Sequence, residues 1–344
     1  MTNGITVTVG CDLGDRHSHL CEIDSDGLVL GRTRIATTRK AFRRHFGDSA
    51  PRRVVIEVGG HSRWVDALLR DLGHDVLVAN ARMVRLIYAG HRKHDQLDAE
   101  SLARLGRLDP HLLYPIRHRN EQAQADLSIL RARDLLVQTR TRLISQVRGM
   151  VKATGRRLPS CETASFPRKV ADEIPEILRP ALAPVLQAIE ELSGHIRQYE
   201  RQLEHKAETQ YPETKQLRQV SGVGPLTAMA FVLTLDDPHR FSKSRQVGAY
   251  VGLCSKTRQS GAQDPDLGIT KAGSPFLRRL LVQSAHYILG PFGPDTDLRR
   301  FGKRLEGRGG KSPKKRAIVA VARKLAVLLH RLWVTGEMYV PLGH

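Results

Sequence analysis

Alternating and continuous hydrophobic runs divide the first third of the chain into short strands and helices. Apolar and polar residues alternate around the turn signal Asp24-Ser25-Asp26-Gly27, and this pattern predicts an antiparallel meander. The run RRVVIEVGG (52–60) is typical of a strand buried on both faces. The predicted strands are, in chain order, 5–11, 19–23, 28–35, 52–60 and 75–81. Helical spacing predicts helices over 38–46 and 62–72. This order of elements is the one expected of a ribonuclease-H-like sheet.

The middle of the chain, 119–210, shows no strand pattern and carries leucine and isoleucine at helical spacing. Prolines interrupt the pattern between 154 and 185. We therefore predict two long helices joined by a loop, as in a helical hairpin or coiled coil. An extended spacer and a dimerisation arm both fit this pattern, and the dimerisation arm is the favoured interpretation.

The last third predicts a mainly helical domain. VSGVGPLTAMAFVLTL (220–235) has the form of a helix-hairpin-helix, in which Gly222 and Gly224 open into an apolar helix. Such a turn presents backbone N–H groups to a phosphate, although a plain glycine turn fits equally well. A last apolar helix is predicted over 317–333. The predicted domains are a ribonuclease-H-like α/β domain (1–115), a helical coiled-coil arm (116–212) and the C-terminal domain (213–344).

Charge narrows the class of partner. The 344 residues include 55 Lys and Arg against 35 Asp and Glu, which gives a net charge of +20 and indicates a polyanionic partner such as nucleic acid. No stretch has the length and apolarity of a membrane span, and 1–10 lacks a signal-peptide pattern. Four scattered cysteines without a CxxC pair argue against zinc and disulfides. We expect a cytoplasmic, nucleoid-associated protein without a membrane partner.

Four carboxylates are candidates for metal chemistry. Asp12 stands at the tip of the first strand, and Glu57 lies in an apolar strand where a charge is costly unless it is paired or bound to metal. Asp95 and Asp98 share one face near the start of a predicted helix. Together these acids predict a Mg²⁺ (or Mn²⁺) site for phosphoryl transfer. Taken singly, Asp95 and Asp98 fit ordinary helix-start acids, and Asp12 fits a turn residue.

Histidines also lie close to these acids in the sequence. They are His17, His19 and His94. A hydrogen-bonded or solvent-facing role is favoured for them over metal ligation.

The motifs resemble a known family. Asp12 in VGCDLG, Glu57 in VIEVGG and the pair Asp95 and Asp98 in KHDQLDAESLA are similar to the DEDD domain of the insertion-sequence 110 family of transposases. QVSGVGPLTA, FSKSRQVGAYVGL, the short QSG and ITKAGSPFLRRLL resemble that family's C-terminal domain in order and spacing. The resemblance covers roughly 5–335. It departs at Gly59-Gly60, where the family commonly has threonine before glycine.

The resemblance implies a mechanism that spacing alone does not. In RQSGAQ it assigns Ser260 as the nucleophile that forms a phosphoserine link to DNA, assisted by the metal-binding carboxylates. Without the family, Ser260 reads as a turn residue, and Ser255, Ser274 and Ser284 are equal candidates. The resemblance also implies a dimer or tetramer in which the DEDD and serine domains of different protomers meet, and a non-coding bridge RNA that guides the choice of DNA.

Basic residues of the last third are candidate nucleic-acid contacts. The segment 299–316 carries nine Lys or Arg and one Glu, a composition that favours contact with a phosphate backbone. The candidates are Lys271, Arg278, Arg279, Lys311, Lys314, Lys315 and Arg316.

Three functions fit these observations. The first is a transposase or recombinase that excises and inserts its own mobile element through Ser260, guided by RNA. The second is a RuvC-like junction-resolving nuclease that uses the four acids and water without Ser260. The third is a non-catalytic nucleic-acid-binding protein in which the acids are structural caps. The first is the favoured interpretation.

Overall fold

The computed structural model describes residues 6–80, 95–256 and 267–342. The chain forms two compact units, Met1–His118 and Arg119–His344. Ser260 and His94 lie outside the described residues, and so does the side chain of Asp95. Within the described ranges, no helix combines the length and apolarity required to cross a membrane.

The first unit is built on a five-stranded mixed sheet in the order β3-β2-β1-β4-β5. The first three strands form the predicted antiparallel meander. β4 pairs with β1 in parallel, and β5 pairs with β4 in parallel. The strands are β1 Thr8–Leu13, β2 His17–Ile23, β3 Val29–Ala36, β4 Arg53–Glu57 and β5 Asp75–Ala79. The helices are α1 Arg39–Phe46, α2 Ser62–Asp71 and α3 Asp95–Leu108. This architecture is compatible with a ribonuclease-H-like core.

Local chemistry explains the meander. At the β2–β3 turn, one Asp24 carboxylate oxygen accepts hydrogen bonds from the backbone N–H groups of Asp26 and Leu28, at 2.9 and 2.8 Å. Gly27 completes the turn with φ at +88°, a conformation that favours glycine. The turn signal read from the sequence therefore forms as predicted, and it fixes the register of the two strands on either side.

The sheet buries both faces. On one face, Val9, Cys11, Val54 and Ile56 pack into a core with the aromatic residues of α1 and α2. On the other face, Val55 packs against α3 residues, including Leu102. The continuous apolar run of β4 reflects this two-sided burial. The prediction placed Glu57 inside that run, but Glu57 is the last residue of β4 and is half-buried, so its charge lies at the edge of the core.

The described part of the second unit is helical. Its helices are α4 Glu121–Ala153, α5 Phe166–Val170, α6 Arg179–Thr209, α7 Glu213–Leu217, α8 Pro225–Leu235, α9 Arg245–Tyr250, α10 Pro275–Leu289, α11 Asp297–Gly307 and α12 Pro313–Thr335. From Thr227 to Leu235 every residue of α8 is buried. A helix that is apolar on all sides belongs at the centre of a core, and α8 packs with α4, α6, α7 and α10.

The long helices α4 and α6 pack along each other as a hairpin. At one end they share a core of their own with the α5 segment, built from residues such as Val147, Phe166 and Ile189. The predicted proline interruption ends earlier than the sequence suggested, because α6 begins at Arg179 and contains Pro184. Pro180 occupies the first turn, where the missing N–H has no helical partner to lose.

A buried carboxylate joins the hairpin to the rest of the second unit. Asp126 of α4 accepts hydrogen bonds from Tyr211 Oη at 2.7 Å and from Gln122 Nε2 at 3.0 Å, and Lys206 Nζ of α6 lies 3.0 Å away. Burial alone would raise the pKa of the Asp126 carboxyl, but these three donors outweigh it and hold the pKa below its ordinary value. The ionised form is therefore part of the fold at neutral pH.

Candidate active site

Asp12 and Glu57 are neighbours on two parallel strands. The register of β1 with β4 pairs Gly10 with Val55 and Cys11 with Ile56, and Asp12 and Glu57 are the next residues on each strand. Both are half-buried. Because side chains at the same register position of adjacent strands point to the same face, the two carboxylates share a face at the carboxyl end of the strands.

The alternation of the strand decides which face they share. Val9 and Cys11 face the α1 and α2 side, so Gly10 and Asp12 face α3. Gly10 lies directly under α3, because a Cβ atom there would stand 1.9 Å from the carbonyl oxygen of Ala99 and 2.4 Å from the nitrogen of Ala103. The strand and helix backbones are thus in contact at this glycine, and the carboxylates lie on the helix side of the sheet.

The direction of α3 brings its N-terminus to the same end of the sheet. A Cβ atom on Gly106 would stand 2.3 Å from Val55 Cγ2 and 3.7 Å from Thr8 Cγ2, whereas Ala99 lies over Gly10. From Ala99 to Gly106, α3 therefore runs from Gly10 back toward Thr8, antiparallel to β1. Asp98 and Asp95 precede Ala99, so they lie toward the Asp12 end, and Asp98 is half-buried. The positive end of the helix dipole favours carboxylates there.

His19 lies at the same end of the sheet as Asp12, although it was not among the predicted site residues. The antiparallel register of β1 with β2 places His19 directly opposite Asp12, and β3 continues the row with Arg34. Arg34 Nη2 lies 3.0 Å from His17 Nδ1, in keeping with the hydrogen-bonded role favoured for His17. Aligning the two predicted strands about their turn would have paired His19 with Asp12.

The donor chemistry of this end of the sheet suits a hard divalent cation. Asp12, Glu57 and Asp98 offer carboxylate oxygens, which Mg²⁺ and Mn²⁺ prefer. Among the side chains that the structure describes, no three His, Cys, Asp or Glu are close enough to hold a metal ion. The backbone thus places the acids at one end of the sheet, while their described side chains do not form a closed cage.

The close contact at Gly10 carries a prediction. We expect Gly10→Ala to lower the free energy of unfolding by about 1–3 kcal/mol, because the new methyl group forces α3 away from β1. The same shift moves Asp98 relative to Asp12, so any activity that depends on these acids should fall as well. Gly31→Ala is the matched control, since a Cβ on this glycine of β3 meets nothing within 4 Å. Denaturant unfolding followed by circular dichroism checks both variants, and equal midpoints would contradict the packing argument.

In the second unit, the predicted phosphate-binding turn lies between α7 and α8. Gly222 has φ at +86°, and a Cβ there would stand 3.0 Å from Tyr287 Cδ1 of α10, so packing alone accounts for this glycine. Gly224 caps α8 without a side-chain hydrogen bond, and a Cβ there would meet nothing within 4 Å. The turn borders a cavity of about 430 Å³ that Arg218 also lines. The N-terminus of α8 is thus open to an anion, and phosphate binding stays a prediction.

The predicted basic contacts fall into two groups. Arg278 Nη1 donates to the carbonyl oxygens of Val251 (3.0 Å) and Ala272 (2.7 Å), so this arginine holds the loop before α10. Arg279 forms an ion pair with Asp134 of α4 and lies over the Phe276 ring. These protein contacts compete with the nucleic-acid role predicted for both arginines. The other group is exposed, and it comprises Lys271, Lys311, Lys314, Lys315 and Arg316.

Comparison with known proteins follows the same division of the chain. A family model described as "Transposase", of the DEDD type of IS110, matches residues 9–155, which include all four carboxylates. A second, described as "Transposase IS116/IS110/IS902 family", matches residues 214–296, which include the α7–α8 turn and position 260. The chain belongs to the IS110 family of transposases.

Relatives of this family align over most of the chain. A probable family 20 transposase of Pseudomonas aeruginosa is 27% identical over 97% of this chain and 98% of its own length. The transposase for insertion sequence element IS1111A of Coxiella burnetii is 28% identical over 96% of this chain and 90% of its own length. The transposase for insertion sequence element IS1328 of Yersinia enterocolitica is 28% identical over 82% and 83%, respectively.

Proposed function

We propose that this IS110-family transposase cuts and rejoins DNA at the ends of a mobile element through a phosphoserine intermediate at Ser260. The observation that carries the proposal is the placement of Asp12, Glu57 and the N-terminus of α3 at one end of the sheet. A cluster of acids in a protein of net charge +20 suits chemistry on a phosphate backbone better than structural capping does.

The chemistry of the proposal is a double exchange. Ser260 Oγ attacks a DNA phosphorus, loses its proton, and displaces one sugar oxygen, which takes up a proton. A sugar hydroxyl of another strand then attacks the same phosphorus and releases Ser260. Each step exchanges one phosphodiester bond for another, so strands are rejoined without an external energy source. The covalent link also keeps the broken end attached to the protein between the two steps.

The proposal includes a divalent metal ion, because the four acids require a positive charge beside them. Asp12, Glu57, Asp95 and Asp98 would hold Mg²⁺ or Mn²⁺, which would offset the negative charge that develops on the phosphate. His19, opposite Asp12 on β2, would support the position of that carboxylate. Without an ion, four neighbouring carboxylates would repel one another and the phosphate.

The described backbone that precedes the proposed nucleophile in the sequence forms a short bridge. Ser255 and Ile269 form an antiparallel bridge, and Lys256 N donates to Gly268 O at 3.0 Å. Ser260 follows Ser255 by five positions in the sequence. We further propose that protomers assemble as a dimer or tetramer through the α4–α6 hairpin.

The proposal includes a non-coding guide RNA, and one experiment tests it directly. We expect the protein, expressed with the DNA that flanks its gene, to co-purify with a single discrete RNA from that flank. Sequencing of the bound nucleic acid checks this, with expression alongside scrambled flanking DNA as the control. Recovery of only heterogeneous cellular RNA would remove the guide from the proposal and favour a nuclease that reads DNA shape.

A further inference from the structure

We propose that a basic cleft between α9, α11 and α12 binds an unpaired stretch of nucleic acid, with at least one base seated on its apolar floor. The cleft has a volume of about 920 Å³, within the range of sites that enclose organic ligands. The bridge at Ser255 and Ile269 forms part of its wall. The inference takes nucleic acid as the ligand from the proposed function, and it does not depend on catalysis by Ser260 or by the carboxylates.

The rim of the cleft carries charge of one sign. Seven of its described lining residues are Lys or Arg, and none is Asp or Glu. They come from α9, from the loop before α10, from the end of α11 and from α12, so separate parts of the chain converge on it. These residues, all exposed, are Arg245, Lys271, Arg308, Lys315, Arg316, Arg323 and Lys324. One-sided charge in a concave surface concentrates anions, and polynucleotide phosphate is the anion this protein's chemistry requires.

The N-terminus of α12 is a second feature that favours a bound phosphate in the cleft. Lys314, Lys315 and Arg316 occupy its first turn, and Ser312 before it makes no side-chain capping bond. The positive end of a helix dipole disfavours cations, so this arrangement works against the stability of the free protein. A bound phosphate removes the conflict, because it pairs with both the cations and the helix end.

The floor of the cleft distinguishes an unpaired strand from a duplex. It is formed by aliphatic and aromatic side chains, including Leu253, Phe301, Leu305 and Val319. Lys324 Nζ lies 4.6 Å from the centre of the Phe301 ring, so a cation borders this surface. A duplex keeps its bases stacked and offers only phosphates to the rim, whereas an unpaired nucleotide places its base on the floor and its phosphate on the rim.

Charge removal tests the rim. The probe is a fluorescein-labelled oligodeoxythymidylate of twelve residues, and its binding to the full chain is followed by fluorescence anisotropy over a salt series. We expect Arg245→Gln with Arg323→Gln to weaken binding at least about tenfold and to lower the salt slope by about 0.7 for each lost contact. Arg156→Gln with Arg157→Gln removes the same charge from the exposed end of the hairpin and should change the affinity less than twofold. Equal losses for the two pairs would overturn the proposal.

A bulky substitution on the floor of the cleft tests whether an unpaired base binds there. Ala320, which also lines the cleft, is partly exposed on α12, so Ala320→Trp adds bulk to the floor without entering the core. We expect this variant to bind the oligodeoxythymidylate at least about tenfold more weakly and to bind duplex DNA of equal length unchanged. An unchanged affinity for the single strand, with circular dichroism showing a folded variant, would overturn the proposal. Oligouridylate of the same length tells whether the occupant is DNA or RNA, and selective binding of either supports the cleft.

Experiments can distinguish an incorrect cleft proposal from an incorrect proposed function. Ser260→Ala should retain wild-type affinity for the single-stranded probe even when recombination is lost, because the cleft is defined without Ser260. Conversely, normal recombination in Arg245→Gln with Arg323→Gln, together with unchanged probe affinity, would reject the cleft and leave the transposase proposal intact.

Discussion

Ser260→Ala is expected to abolish recombination between element ends, with a loss of at least about a thousandfold in rate. Alanine removes the only protein atom that bonds to phosphorus in the proposed covalent step, and water cannot replace it without losing the strand-rejoining step. The measurement is recombination of a plasmid carrying the element ends and target, followed by denaturing electrophoresis of the protein. The unaltered protein should show a fraction covalently linked to DNA, and Ser260→Ala should show none.

The matched control lies in the same part of the chain. Ser255 is another serine considered from the sequence, and its backbone forms the bridge to Ile269. Ser255→Ala removes a hydroxyl five residues away and should keep both recombination and the covalent link. Ser274→Ala is a second control, because Ser274 Oγ accepts from Leu277 N at 3.3 Å as the cap of α10. Its loss should cost about 1 kcal/mol of stability without abolishing the reaction.

The alternative function predicts a different outcome for the same variant. A junction-resolving nuclease would use the acids and water, so Ser260→Ala would cut DNA at the wild-type rate and would never have formed a covalent link. A non-catalytic binding protein would show neither cleavage nor dependence on Ser260 or Asp12. One substrate and one gel therefore separate the three functions that the sequence left open.

Most of the first unit was predictable because its signals are local. Alternating residues predicted the strands of the meander, and the Asp24–Gly27 turn formed from hydrogen bonds between near neighbours. The positions of Asp12 near a strand end and of Asp98 near a helix start followed from the same patterns, whereas Glu57 was expected inside its strand and instead ends it. The contact of α3 with β1 was not predictable, because it joins Gly10 to Ala99 and Ala103, which are far apart in the sequence.

Nonlocal contacts also explain what was missed in the second unit. Arg278 and Arg279 looked like a basic pair on a helix, but one holds two backbone carbonyls and the other pairs with Asp134 of a distant helix. The basic cleft draws its cations from separate helices, and only Lys271, Lys315 and Arg316 of its rim were among the predicted contacts. Asp126 reads as one more acid on a long helix, yet its burial depends on α6 and Tyr211. Sequence patterns within one helix or strand cannot show contacts between elements that are distant in the sequence.

Removing charge from the carboxylates should change activity and stability in opposite directions. We expect Asp12→Asn, Glu57→Gln and Asp98→Asn each to reduce DNA cleavage at least about a thousandfold, because an amide of the same shape is a poor ligand for Mg²⁺. The same variants should unfold at equal or higher temperature. Asp12 and Glu57 share a face of strands about 4.8 Å apart, so losing one charge relieves about 0.5–1 kcal/mol of repulsion.

Magnesium itself provides the decisive measurement, since it reports on the acids without requiring turnover. In the unaltered protein, Mg²⁺ should raise the melting temperature, because an ion held by the folded site stabilises it, and this rise should be absent in Asp12→Asn. Asp15→Asn is the matched control, since Asp15 lies three residues along the chain with its side chain 95% exposed and should keep both the rise and the activity. A melting temperature that does not respond to Mg²⁺ or Mn²⁺, combined with full cleavage by Asp12→Asn, would show that these acids are structural. An Asp12→Asn variant that melts at a higher temperature but does not cleave DNA would instead show that the Asp12 charge serves catalysis and lowers the stability of the fold.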